Sequence, residues 1–242
     1  MTSLAATYQA TATAMLARTV AANAPVLKKL GPVIGASLAA GGVLHTFGSG
    51  HSEVIGREII GRAGGLMCVS GLFDPGAGFS ENVVGYGTRL AERYDRAYGL
   101  RAGEGIIVIS NSGKNASPIE VALYAKAKGL TVIGLTALAM STTMKTVHPG
   151  GRNLHEVSEY VLDNGGVPGD AIVPVTDTIS AGPTSTLIGA TLLNLLTLEV
   201  IDWLRAGGHE LPILRSQNVP GGMEFNVELA KKYRTRLSRP IG

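Results

Sequence analysis

Six short apolar runs rich in Val and Ile punctuate the chain: GVLHTF, LMCVS, GIIVIS, LTVIGLT, YVLDN and AIVPV, several of them closed by Gly, Ser or Asn. Runs of this length and β-branched content, bounded by turn residues, predict buried strands. Helical patterning fills the spaces between the first of them. VIGREIIGRA follows the first run, and SPIEVALYAKAKG follows the third, with Ser117 and Pro118 as an N-cap and N1 pair and Gly129 as the stop. Residues 2–30 carry Leu16, Val20, Leu27 and Leu30 at mixed three- and four-residue steps, which predicts one or two amphipathic helices broken near Pro25. The stretch GPTSTLIGATLLNLLTLEVIDWLRAGG predicts a long helix, apolar on nearly every side and ended by a Gly pair. Strands that alternate with helices require right-handed crossovers, and hence a parallel, doubly wound sheet. The fold class is α/β.

Two segments break this rhythm. GLFDPGAGFSENVVGYG is glycine-rich and too long for an ordinary connection, which points to a lid or to a loop that reaches a neighbouring subunit. NGGVPGD, at 164–170, is a shorter turn of the same kind. The long apolar helix also carries an implication. A helix apolar all round must be buried, here by the sheet on one side and another subunit on the other, so an oligomer is expected.

Composition narrows the class. With 242 residues, 45% hydrophobic and 16% charged, the chain can bury the core of one large domain or two small ones. Cys68 stands alone, which excludes an internal disulfide, and no Cys/His cluster has the spacing of a structural zinc site. A reducing, cytoplasmic setting fits. The opening MTSLAATYQATATAMLARTV lacks the basic stretch and apolar core of a signal peptide and reads as a helix of a soluble protein. The most apolar segment is interrupted by Asn194, Glu199 and Asp202, so no membrane span is expected. The net charge of +3 gathers at Lys231, Lys232, Arg234, Arg236 and Arg239. With no nucleic-acid-binding signature beside it, that cluster reads as a solvated C-terminal helix with cations near its negative dipole end.

The candidate chemistry begins at FGSGHSE, between the first strand and the helix after it. A dinucleotide fingerprint fits at Gly48 and Gly50 and fails at Glu53, which would crowd the strand and repel a pyrophosphate. A nucleophile elbow fits through Ser52 and fails at Val54. A Walker A loop fails because Gly113-Lys114 continues into Asn115. What remains is a simpler phosphate cradle, in which a glycine-containing turn exposes backbone N–H groups and serine hydroxyls add donors. A second turn of this kind, Ser110-Asn111-Ser112-Gly113-Lys114-Asn115-Ala116-Ser117, follows the strand GIIVIS. Two such turns at the C-terminal ends of neighbouring parallel strands converge on one crevice, and a phosphate monoester is its natural tenant. A sulfate or sulfonate would satisfy the same donors.

FGSGHS, SNSGKN and the GPTSTL helix together resemble the sugar isomerase (SIS) domain of phosphosugar isomerases and phosphosugar-binding proteins. The whole chain, including the tail LPILRSQNVPGGMEFN, is similar to stand-alone bacterial SIS-domain proteins of the phosphosugar or phosphoheptose isomerase type. The resemblance implies a five-stranded, mainly parallel sheet flanked by helices, assembled as a homodimer or homotetramer with sites near subunit interfaces. It divides the chain into an N-terminal helical segment at 1–35, the SIS domain at 36–210 and a C-terminal tail and helix at 211–242. By position, the family's phosphate-binding residues match Ser52, with Ser49 in the same turn, and Ser110, Asn111, Ser112 and Asn115. Lys114 adds a charge suited to phosphate.

The family's catalytic base, a glutamate on the helix after the first turn, matches Glu58 in Arg57-Glu58-Ile59-Ile60-Gly61-Arg62. Aldose–ketose isomerisation moves a proton between C1 and C2 through a cis-enediol, work suited to one carboxylate. Ring opening needs a second group, and His51 is better placed for it than His155 or His209. The family's catalytic histidine on the last helix has no counterpart here. In the tail, Asn218 and Glu224 either face a sugar or belong to a turn that caps the final helix. The function expected is a phosphosugar isomerase needing no cofactor or metal. The alternatives are a lyase cleaving a β-substituted sugar phosphate such as an ether, and a non-catalytic phosphosugar sensor. Neither nucleic acid nor a membrane is an expected partner.

Overall fold

In the computed structural model, which describes residues 3–238, five of the six apolar runs assemble one sheet. Strands β1 (Leu44–Gly48), β2 (Val69–Leu72), β3 (Gly105–Ile109), β4 (Thr131–Thr136) and β5 (Tyr160–Asp163) lie in the order β2-β1-β3-β4-β5, and every pair is parallel. The expected five-stranded α/β sheet is therefore what the chain forms. Strand β3 is buried at every residue, which is why GIIVI is a continuous apolar run and does not alternate.

Helices cover both faces. On one, α1 (Leu4–Ala39), α2 (Ser52–Arg57) and α7 (Ser185–Ala206) close over Leu44, Ile107, Ile109, Ile133, Leu135 and Leu162. On the other, α3 (Tyr86–Tyr98), α4 (Ala116–Ala127) and the short α6 (Leu154–Val157) close over Phe47, Leu72, Ile106, Val108 and Val132. A further short helix, α5 (Leu138–Ser141), follows β4.

The sixth run leaves the sheet. AIVPV forms β6 (Ala171–Pro174), which pairs antiparallel with β7 (Ser180–Pro183), and Tyr8 of α1 donates its hydroxyl to the Pro183 carbonyl at 3.0 Å. Residues 164–170 separate β5 from β6, too few for the crossover a parallel neighbour needs.

Other differences have equally local causes. Helix α1 runs unbroken through Pro25 and Pro32 where a break was expected. Each proline removes one intrahelical hydrogen bond, and the apolar stripe Leu27, Leu30, Ile34 and Leu38 offsets that loss by packing into the core beside α7. The contact is close. A Cβ on Gly31 would stand 3.0 Å from the Glu199 carbonyl oxygen, and one on Gly35 would stand 2.4 Å from the Trp203 ring.

Helix α2 ends at Arg57, short of the expected span, because the chain turns at Gly61 (φ +62) to bury Ile59 and Ile60. Helix α4 begins at Ala116 with Asn115 in the cap position, because the Ser117 N–H is donated to the Glu81 carbonyl at 2.8 Å. Helix α7 buries one face against α1 and α2 and leaves Leu187 and Leu198 exposed on the other. Among the described residues it is the helix long and apolar enough to cross a membrane, and its buried face is part of the core.

The C-terminal basic cluster is only partly solvated. After α8 (Gly222–Ala230) and a 3-10 turn at Lys231–Tyr233, Lys231 and Lys232 make exposed pairs with Glu228 and Glu210. Arg236 instead turns inward. Its Nη2 donates to both Glu104 oxygens at 2.8 and 2.9 Å and its Nε to the Tyr98 carbonyl at 2.7 Å. Glu104 demands a buried cation there, because its carboxylate also holds the Val43 N–H at 3.0 Å and faces His45 Nε2 at 3.0 Å. Arg239 lies outside the described residues.

Candidate functional site

Strand order reverses between β1 and β3, so their C-terminal ends open a crevice that no connection crosses. Both turns singled out in the sequence meet there. The crevice, about 550 Å³, is lined by Ser49, His51 and Ser52 of the first turn and Ser110, Asn111, Ser112 and Asn115 of the second.

The first turn depends on glycine for contact. A Cβ on Gly48 would stand 2.6 Å from the Ser52 carbonyl carbon, and Gly50 takes φ +57. Glu53, which the sequence places against a pyrophosphate, turns away. Its Oε1 accepts from Arg57 Nε at 2.7 Å and its Oε2 from the Asp74 N–H at 2.9 Å.

The second turn is organised by its carbonyls. Asn111 O accepts from Ala137 N at 3.0 Å, Gly113 O from Leu154 N at 2.8 Å, and Lys114 O from Val147 N at 3.0 Å. All three carbonyls are thus held by the 137–154 segment. In a planar trans peptide the following N–H points the opposite way, so the amides of Ser112, Lys114 and Asn115 face away from that segment. A row of backbone donors with their carbonyls tied behind them is an anion-binding concavity. Ser141 lies behind the turn, where a Cβ on Gly113 would stand 2.3 Å from its Oγ, and Ser141 Oγ is 2.7 Å from His155 Nδ1. His155 therefore supports the turn.

The glycine-rich loop after β2, expected to be a lid or to reach a neighbouring subunit, forms the third wall, through Ala77, Gly78, Phe79 and Glu81. Two carboxylates pin it. Asp74 accepts from Gly76 N, Gly78 N, Tyr86 Oη and, across the crevice floor, Ser49 Oγ at 3.0 Å. Burial raises the Asp74 pKa, but the hydrogen bonds led by Tyr86 outweigh it and hold the carboxyl below its ordinary value. Glu120 accepts from Gly85 N and Thr88 N at the start of α3. On this fixed loop the Phe79 ring is 97% exposed. Asp170 completes the rim, and its carboxylate is taken by Thr184 N, Ser185 N and Ser185 Oγ. Ala77 (φ 47) and Asp170 (φ 64) are the non-glycine residues with positive φ among those described. Both line the crevice, where backbone strain tends to collect at functional sites.

Four predicted residues lie elsewhere. Lys114 contributes its amide and carbonyl to the second turn, but its side chain does not line the crevice. Glu58 pairs with Arg62, and its Oε1 lies 3.5 Å from Asn194 Nδ2 on the exposed face of α7. Asn218 lines a separate depression with Arg62 and Arg215, and Glu224 is exposed in the first turn of α8. Sequence reasoning missed Asp74, Glu81 and Asp170, since acidic residues in Gly-rich loops carry no spacing signal, and Glu120, which sits within α4 while its partners Gly85 and Thr88 stand 35 and 32 residues away. Among the described residues no group of three His, Cys, Asp or Glu stands ready to hold a metal ion.

An open parallel sheet with two donor-rich turns at its switch point defines an anion-binding α/β protein. The family model of the SIS domain matches residues 7–137, and the chain belongs to that family. It is 32% identical to a UPF0309 protein of Shouchella clausii, over 95% of this chain and 96% of that one. It is 36% identical to a UPF0309 protein of Caldanaerobacter subterraneus, over 81% and 82% of the two chains. Its fold is similar to that of a phosphoheptose isomerase from Francisella tularensis, with a TM-score of 0.56 at 18% identity, covering 83% of this chain and 98% of that one.

Proposed function

We propose that the crevice binds a sugar phosphate and that the protein interconverts its aldose and ketose forms through a cis-enediol. The second turn carries this reading: three carbonyls tied behind it leave the amides of Ser112, Lys114 and Asn115 as a seat for a phosphate. Side-chain donors at Ser52, Asn111, Ser112 and Asn115 surround that seat. The sugar then extends toward Phe79 and toward His51 and Glu81, two titratable groups of the crevice.

Isomerisation takes a proton from C2 and returns it to C1, while a hydroxyl proton moves between O1 and O2. Glu81 is the base within one chain, because it lines the crevice and its carboxylate has no hydrogen-bonded partner among the described residues. His51 handles the hydroxyl proton. Glu58, the base implied by resemblance, reaches a sugar only if a second copy docks on the exposed face of α7 beside it.

Proton NMR in D2O, with hexose, heptose and amino-sugar phosphates, separates these roles. Loss of the C2 proton signal is expected with one of the panel, and Glu81→Gln should slow it about 100-fold or more while Glu58→Gln leaves it. The reverse pattern would move the base to Glu58 and require an oligomeric site. Saturable binding without exchange at any sugar would retire the isomerase and leave a sensor.

A further inference from the structure

Asn111 lines the crevice, and what it offers a ligand depends on which way its amide is turned. Carbonyl oxygen and amide nitrogen are nearly isosteric, so the direction must be derived from partners whose chemistry is fixed. Such a partner stands three residues beyond β5. The Gly166 backbone N–H, which can only donate, lies 2.9 Å from one terminal atom of the Asn164 side chain, so that atom is Oδ1. The other terminal atom of Asn164 is then Nδ2, a donor, and it lies 2.8 Å from Asn111. The atom it meets must be Asn111 Oδ1. By elimination the Asn111 atom left over, next to the crevice-lining Met140, is the NH2 group, with two protons.

We infer that Asn164, itself 1% exposed and outside the crevice, is a positioning residue that turns the Asn111 amide so that the crevice presents a donor there. Its backbone is fixed as well, because Asn164 N donates to Thr136 O at 3.0 Å. Asn111 in turn has its carbonyl held by Ala137 N and Thr136 Oγ1, so the backbone that carries its side chain is fixed. The result is a preference in ligand chemistry. A deprotonated oxyanion, all acceptor, fits this position, and a hydroxyl or amine that must donate does not.

The inference rests on the crevice being an anion site, and inorganic phosphate is the probe that tests both. In wild-type protein labelled with 15N, phosphate titration should shift the Asn111 side-chain amide signals. Asn164→Asp is isosteric but accepts from both Gly166 and residue 111. It forces Asn111 to turn its oxygen into the crevice, and phosphate affinity should fall at least tenfold. Asn164→Ala leaves the amide free to turn either way, so phosphate selects the donor orientation and the loss is smaller. A role in packing alone gives the opposite order, with the cavity-forming Ala worse than the isosteric Asp.

The new buried charge is controlled in an Asn111→Ala background. There Asn164→Asp should add no further loss, whereas repulsion through space would add the same factor in both backgrounds. Equal losses in both backgrounds, or no loss from Asn164→Asp, would overturn the inference. If Asn164→Asp does not fold, the wild-type titration still decides, since phosphate saturation without movement of the Asn111 amide overturns it. Wild-type protein that binds no phosphate removes the anion site itself, and the inference with it.

Discussion

A methyl group is enough to close the first turn. At position 48 it would lie 2.6 Å from the Ser52 carbonyl carbon and 2.7 Å from the Glu53 nitrogen, and at position 78 it would lie 2.9 Å from the Gly50 Cα. The turn and the pinned loop thus touch backbone to backbone, with no side chain between them. Gly48→Ala should lower phosphate affinity at least tenfold and stability by about 1–3 kcal/mol, read by titration and by denaturant unfolding. Residues of this local kind, Ser52 and Ser110 to Asn115, were legible because a turn writes its requirements into neighbouring positions. Asp74 and Asn164 were not, because their partners Ser49 and Asn111 stand 25 and 53 residues away.

Elements show the same division. The run GIIVI is buried along its whole length and announces a central parallel strand, so the sheet could be read almost strand by strand. The continuity of α1 could not, since Pro25 predicts a break by a local rule and the helix that holds it straight begins at Ser185. AIVPV satisfies every strand criterion yet lies outside the sheet, because the connection before it is short and connection length is a property of topology. The α1–α7 contact makes its own prediction. Gly35→Val would drive a branched side chain into the Trp203 ring, and urea unfolding should show a loss of about 1–3 kcal/mol or more, with the crevice, far from this contact, retaining phosphate binding.

At the scale of the molecule, the residues that tie the tail to the sheet also set its response to acid. Burial would raise the Glu104 pKa, but hydrogen bonds from His45, Arg236 and the Arg101 amide outweigh it and hold the carboxyl at about 2, against an ordinary 4.5. Burial lowers the His45 pKa below its ordinary 6.5 despite the carboxylate beside it, so the ring is neutral, its Nε2–H donating to Glu104 and its Nδ1 standing 2.9 Å from the Tyr94 hydroxyl. Both shifts have one sign. The unfolded chain binds protons that the folded one refuses, first at histidine below pH 6.5 and then at glutamate from 4.5 toward 2. Thermal melts should therefore show Tm falling as pH drops through that window. Arg236→Ala strands a buried carboxylate and should cost about 3–5 kcal/mol at pH 7. It should also flatten the acid limb, since Glu104 then titrates nearer its ordinary value.

The packing of α1 on α7 bears on how the chain is made as well as on how it stands. Leu27, Leu30, Ile34 and Leu38 leave the ribosome long before Ser185 does, and at a synthesis rate of roughly 5–20 residues per second their partner is missing for on the order of ten seconds. During that interval the nascent chain carries an oily helix without the helix that covers its stripe in the finished core. The protein is therefore expected to lean on cellular chaperones during translation more than its finished stability would indicate.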